Sequence, residues 1–264
     1  MASTWPQRAA WLGALAGLAL ALLLFAPARW LAQALNSATG GQLQLVNPSG
    51  TVWQGQADLL LTGGEGSRSE SALPQGVRWR LSPRLASGAP AVGLLLSAPC
   101  CTPQPLALLL LPRWGGAELR VAASSSYWPA DLLVGLGTPW NTLHMEGQLA
   151  LQTEGLTLRW DQGRTNLQGS LVVDAQDVSS RLSRLRPLGS YRFALKAAAD
   201  GHTATLDLTT VSGDLLLQGN GQWVGGRLRF KGDAQAAAGR EEALTNLLNI
   251  MGRRQGPRSV FNIG

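Results

Sequence analysis

The sequence predicts a mainly β protein: a single N-terminal transmembrane helix followed by an extended, curved antiparallel β-sheet with two short helices. Three observations lead there. One uncharged apolar run stands near the N-terminus, and beyond it apolar and polar residues alternate with a period of two. Turn signals separate the alternating runs every ~8–12 residues, as in consecutive antiparallel strands. The 32 glycines are nearly twice the ~7% average usage, which suits a turn-rich sheet better than a helical bundle.

The apolar run extends from Ala9 to Ala28, 20 residues without a charge between Arg8 and Arg29. At 1.5 Å per residue such a helix spans ~30 Å, the thickness of a bilayer's hydrocarbon core. Its seven leucines and Phe25 together favour insertion by roughly 4 kcal/mol, with no charge opposing them. Trp11 and Trp30 stand near the two ends, where indole rings sit at headgroup level. Ala26-Pro27-Ala28 has the small-x-small form of a signal-peptidase site, but the long run, the single Arg before it and Trp30 after it favour an uncleaved anchor. The expected division is a cytoplasmic tail over 1–8, a signal-anchor helix over 9–28 and an exported β domain over 29–264.

Beyond the anchor, Leu31–Asn36 continues helical and stops at Thr39-Gly40-Gly41. Alternation then begins at Gln42–Leu45 and recurs at Gln56–Thr62, at Val77, Trp79 and Leu81, and at Leu149 and Leu151. It returns at Leu156, Leu158 and Trp160, at Tyr191, Phe193 and Leu195, at Leu206 and Leu208, at Leu215 and Leu217, and at Leu228 and Phe230. Turns are expected at Thr153-Glu154-Gly155, Asp161-Gln162-Gly163, Asp200-Gly201, Ser212-Gly213 and Gly225-Gly226. These gaps leave no room for the helical crossovers that parallel strands require. Gly63–Gly76 and Ser97–Pro105 read as loops. The two short helices are Pro129–Leu136, closed by Gly137, and Arg240–Met251. In the second, Ala243, Leu244, Leu247, Leu248 and Met251 form one apolar stripe expected to pack on the sheet. Glu241 and Glu242 suit its N-terminus, and Arg253 and Arg254 its C-terminus.

Composition narrows the chemistry. Only 14% of residues are charged, against ~25% in an average domain. Two cysteines and two histidines exclude a disulfide-dense scaffold and a cysteine-rich zinc module. The net charge of +6 raises nucleic acid as a partner. However, all but two of the 22 basic residues are arginines scattered along the chain, with no basic helix or aromatic-lined strand. No nucleic-acid partner is expected. Phosphate-loop, zinc-protease, nucleophile-elbow and dinucleotide motifs are absent. His144 and His202 read as a strand and a turn histidine, and Asp161, Asp174 and Asp177 lack a calcium-loop spacing. No enzymatic activity, cofactor or metal is expected. Cys100-Cys101 leaves three readings open: a bond between neighbours, pairing across chains, or two small buried thiols.

Four blocks, in order, resemble protein N of the type II (general) secretion pathway. They are Gly135–Leu143 (GLGTPWNTL), Ser179–Tyr191 (SSRLSRLRPLGSY), Gly219–Phe230 (GNGQWVGGRLRF) and Asn246–Gly256 (NLLNIMGRRQG). The anchor and Gly50–Gly55 with Trp53 agree in organisation, whereas residues 63–112 are less diagnostic. The resemblance implies a Gram-negative inner-membrane protein with its body in the periplasm. Such a protein works with the other subunits of the machine that exports folded proteins across the outer membrane. No catalytic residues carry over.

Two function classes follow. A periplasmic scaffold or assembly subunit would use open sheet edges, with Trp140, Asn141, Arg253 and Arg254 as candidate contacts. Trp140 itself reads more readily as core. The alternative is a lipid- or hydrophobe-binding groove, of the kind seen in AsmA-like envelope proteins, along the face that holds Leu158 and Leu217.

Overall fold

A computed structural model describes residues 5–64, 67, 69–138, 140–198, 200–224 and 227–264. The apolar N-terminal run lies in helix α1, Trp5–Leu24, which ends four residues before Ala28. Helix α2, Ala28–Ala38, follows directly, with Pro27 in extended conformation at its start. Among the described residues no helix is long and apolar enough to cross a membrane.

Among the described residues sixteen strands, all paired antiparallel, form one sheet. In chain order they begin with β1 Leu43–Gly50, β2 Gln54–Thr62, β3 Glu70–Ala72, β4 Val77–Ala86 and β5 Ala89–Ser97. Next come β6 Leu106–Arg113, β7 Gly116–Val121, β8 Ser124–Pro129, β9 Met145–Asp161 and β10 Arg164–Ser180. The series closes with β11 Gly189–Ala197, β12 Thr203–Gly213, β13 Leu215–Val224, β14 Arg227–Ala236, β15 Arg253–Gln255 and β16 Arg258–Ile263. Neighbours follow sequence order almost throughout, with the pair β16–β15 beyond β14. Two places depart from the simple meander. The short β3 shares an edge of β2 with β4, and β8 shares an edge of β9 with β7.

The expected mainly β, antiparallel architecture therefore stands, with several corrections in detail. Thr153-Glu154-Gly155 is not a turn: β9 runs through it unbroken for 17 residues. Gly155 (φ 130°) and Gly169 (φ 99°) sit beside a register shift in the β9–β10 pair. The Thr153 hydroxyl stitches this bulge, donating to the Ser170 carbonyl at 2.7 Å and accepting the Gly155 N–H at 3.1 Å. A Cβ at Gly169 would collide with the Gly155 carbonyl oxygen, so glycine is required there on both counts. The Gly63–Gly76 loop contains β3; residues 65, 66 and 68 of that loop, and the Gly225-Gly226 turn, lie outside the described residues. Pro129–Leu136 forms a 3₁₀ helix over Ala130–Leu136, capped by Gly137 at φ 80°, and a further helix, α3 Trp140–Leu143, follows it.

The expected Arg240–Met251 helix is α4, Glu241–Met251, and it packs on the sheet as its stripe requires. Leu244, Leu247 and Leu248 are buried against Tyr191, Leu208, Leu215, Phe230 and Ala234, while Ala243 stays exposed. Arg253 and Arg254 do not complement the end of the helix; past Gly252 they enter β15 and pair with β16. At the other end of the sheet, Ala28 and Leu31 of α2 cover Ala57, Trp79, Leu81 and Leu94. A third cluster gathers Leu73, Val77, Ala98, Cys101 and Leu132 beneath the 3₁₀ helix.

Candidate functional site

Each face of the sheet can be followed along its pairing register. On the face covered at its ends by α2 and α4, one row runs Leu110–Leu119–Leu158–Leu167 across β6, β7, β9 and β10. None of these four belongs to a buried cluster, and Leu110 is 42% exposed. Leu217, by contrast, packs against the α4 cluster. The two positions expected on one apolar face therefore differ: α4 supplies cover for Leu217, whereas Leu158 is half-buried and joins no buried cluster among the described residues.

The opposite face carries a feature that the strand pattern did not reveal. Glu118 of β7 is 1% exposed. It accepts from Arg120 Nε at 2.7 Å and from Arg159 Nε and Nη2 at 3.0 and 2.8 Å, and Arg113 Nη2 lies 2.8 Å away. The register explains the convergence: Glu118 stands opposite Arg159 on β9, Arg120 is two residues along on the same face, and Arg113 ends the neighbouring β6. Burial raises the Glu118 pKa, but the hydrogen bonds and charges of Arg120, Arg159 and Arg113 outweigh it, holding the carboxyl below its ordinary value. Three guanidiniums around one carboxylate leave this surface positive. A smaller pair lies further along, where Arg192 holds Asp174 through bonds of 2.6 and 2.8 Å and lowers the carboxyl's pKa. That pairing occupies one of the three aspartates weighed as metal ligands. Among the described residues no three His, Cys, Asp or Glu side chains are grouped to hold a metal.

Cys100 and Cys101 are bonded to each other. Cys101 is buried in the cluster under the 3₁₀ helix, and its carbonyl accepts the Tyr127 N–H at 2.8 Å. The pair thus fastens the loop after β5 to β8.

The four candidate contact residues fall on two separate elements. Trp140 and Asn141 open α3 and are half-buried; the Asn141 side-chain amide donates to Ser69 Oγ at 3.0 Å, tying α3 to the segment before β3. Arg253 and Arg254 lie on β15, the last strand of the sheet, where every residue is exposed. The two ends of the sheet are unlike. On β1, Pro48 lies in a register shift between Val46 and Ser49, and proline cannot donate to a further strand. No proline interrupts Arg253–Gln255, and its outer edge has no strand beside it among the described residues. Two arginines there oppose pairing with a second basic edge and suit an acidic one.

This meander, ending in α4 and the β15–β16 hairpin, covers the segment that family comparison matches. The model of the type II secretion system protein N family fits residues 41–261. The chain belongs to that family. No curated protein and no solved structure matches it. As a protein N it is a component of type II secretion, associated with the cell envelope and with the other components of that system. The matched segment holds all sixteen strands but for the last two residues of β16, and leaves α1 and α2 outside. Family and sheet therefore describe the same unit.

Proposed function

We propose that this protein N is a non-enzymatic scaffold or assembly subunit. In this reading α1 holds it in the inner membrane by a single span, and the sheet stands in the periplasm. The span is supported by the uncharged run Ala9–Ala28, part of whose side chains, including Leu12, Leu15 and Leu23, lie outside the described residues. The observation that supports scaffolding most directly is the β15 edge: backbone available for strand addition, flanked by Arg253 and Arg254. The occupant is a strand of another secretion component with acidic side chains. Asn141 serves the fold in this account, holding α3 against the segment that bears Ser69, and Trp140 opens that same short helix.

The open row Leu110–Leu119–Leu158–Leu167 favours a second reading, a groove for lipid or another hydrophobe. A photo-crosslinking side chain at Arg254, and separately at Leu158, distinguishes the two in secreting cells. The scaffold predicts a secretion-subunit adduct at 254. A lipid adduct at 158 with nothing at 254 would transfer the function to the groove.

A further inference from the structure

Turn positions favour Gly, Asn, Asp, Ser and Pro, residues that adopt the backbone angles or hydrogen-bond locally. The turn between β6 and β7 instead presents Trp114, fully exposed, ahead of Gly115 at φ 80°. Two more apolar side chains stand at the neighbouring tips. Leu85, 82% exposed, precedes the Ser87-Gly88 turn, and Trp160, 40% exposed, precedes the Gln162-Gly163 turn. None of these three side chains belongs to a buried cluster among the described residues.

Topology places them on one side. Because every pair is antiparallel, the β1–β2, β4–β5, β6–β7 and β9–β10 turns all lie at the same end of their strands. The chain leaving α1 meets the sheet at that same end, before α2 carries it to the start of β1 at the other. Pro27 bridges Thr51 of the β1–β2 turn, and the Val52 N–H donates to the Ala26 carbonyl at 2.8 Å. Basic charge accompanies two of the tips, and the exposed Asp161 follows Trp160 at the third: Arg84 is exposed beside Leu85, and Arg113, beside Trp114, belongs to the three guanidiniums that share Glu118.

We propose that this side of the sheet is a membrane-docking surface, on which Trp114, Leu85 and Trp160 enter the headgroup region of an anionic bilayer. Indole rings settle at that depth, and guanidiniums there meet lipid phosphates. The inference rests on the reading of α1 as a membrane anchor, whose exit the tips flank.

The test uses the full chain in vesicles of phosphatidylcholine and phosphatidylglycerol. The chain's two cysteines are bonded to each other, so an introduced cysteine can be labelled selectively with an environment-sensitive fluorophore. Labels are placed through Trp114→Cys, Leu85→Cys, Leu20→Cys in α1, and Val211→Cys. Val211 is 62% exposed near the C-terminal end of β12, on the side away from the tips. Lipids brominated in the acyl chain are the quencher. The docking surface predicts strong quenching at 114 and 85, several-fold above that at 211. Quenching at 20 with none above the 211 level at 114 and 85 overturns the docking surface and leaves the anchor. Quenching at 114 and 85 without quenching at 20 upholds the surface and removes the anchor. Background values at all four positions remove both.

Discussion

Replacing Glu118 by alanine is expected to destabilise the protein by about 3 kcal/mol, the low end of the cost of breaking a buried ion pair. At the 2–4 °C per kcal/mol typical of a chain this long, the melting temperature falls by roughly 6–12 °C. The loss arises because Arg113, Arg120 and Arg159 converge on one buried carboxylate and repel each other once it is gone. Their own exposure, 43–45%, keeps the cost below that of a fully buried cluster. Glu118→Gln keeps the shape and one acceptor but removes the charge, so it should fall between the two. Thermal unfolding followed by circular dichroism measures all three, and an alanine variant melting within a degree of the parent would contradict the role.

The same carboxylate sets an acid limit. Its folded pKa lies below the ordinary 4.5, so its contribution is fully present above that pH and is lost as pH falls through the folded value. Asp174, lowered by Arg192, acts in the same direction from its ordinary 3.8. Acid unfolding should therefore begin below about pH 4.5 in the parent protein, with a weaker pH dependence in Glu118→Gln.

Leu248→Ala is expected to cost about 3 kcal/mol, within the range for emptying a buried leucine site. Leu248 is 1% exposed, and with Leu244 and Leu247 it is the means by which α4 covers Tyr191 and Phe230. Loosening α4 uncovers apolar sheet, so the variant should bind more of a hydrophobic dye than the parent does. Ile250→Ala, on the exposed side of the same helix, should change stability by less than ~0.5 kcal/mol. Equal effects from the two substitutions would mean that α4 does not cap the sheet.

These two sites differ in how far the sequence disclosed them. The α4 stripe recurs at helical spacing, and a helix has one face to bury, so its role follows from periodicity. Glu118 gave no such signal, because its three partners come from β6, β7 and β9 and meet only through register. A Glu-x-Arg alternation at 118 and 120 was its only local trace. Strands β5 and β6 escaped because Ala91–Leu96 and Leu106–Leu111 are continuous apolar runs with no period of two. Gly155 misled for a different reason: glycine marks bulges as well as turns, and only the partner strand decides between them. The edge at β15 was half legible. Arg253 and Arg254 stood out, but the sequence assigned them to a helix end rather than to the last strand of the sheet.

The most direct test of the central claim, that the β15 edge recruits an acidic strand of another secretion component, is the secretion of an exported protein by cells carrying Arg253→Glu and Arg254→Glu together. Both side chains are exposed, so protein levels should hold. Like charges facing each other across the new pairing should cut secretion by at least about tenfold, the equivalent of ~1.4 kcal/mol in a binding step. Undiminished secretion at normal protein levels would contradict the account.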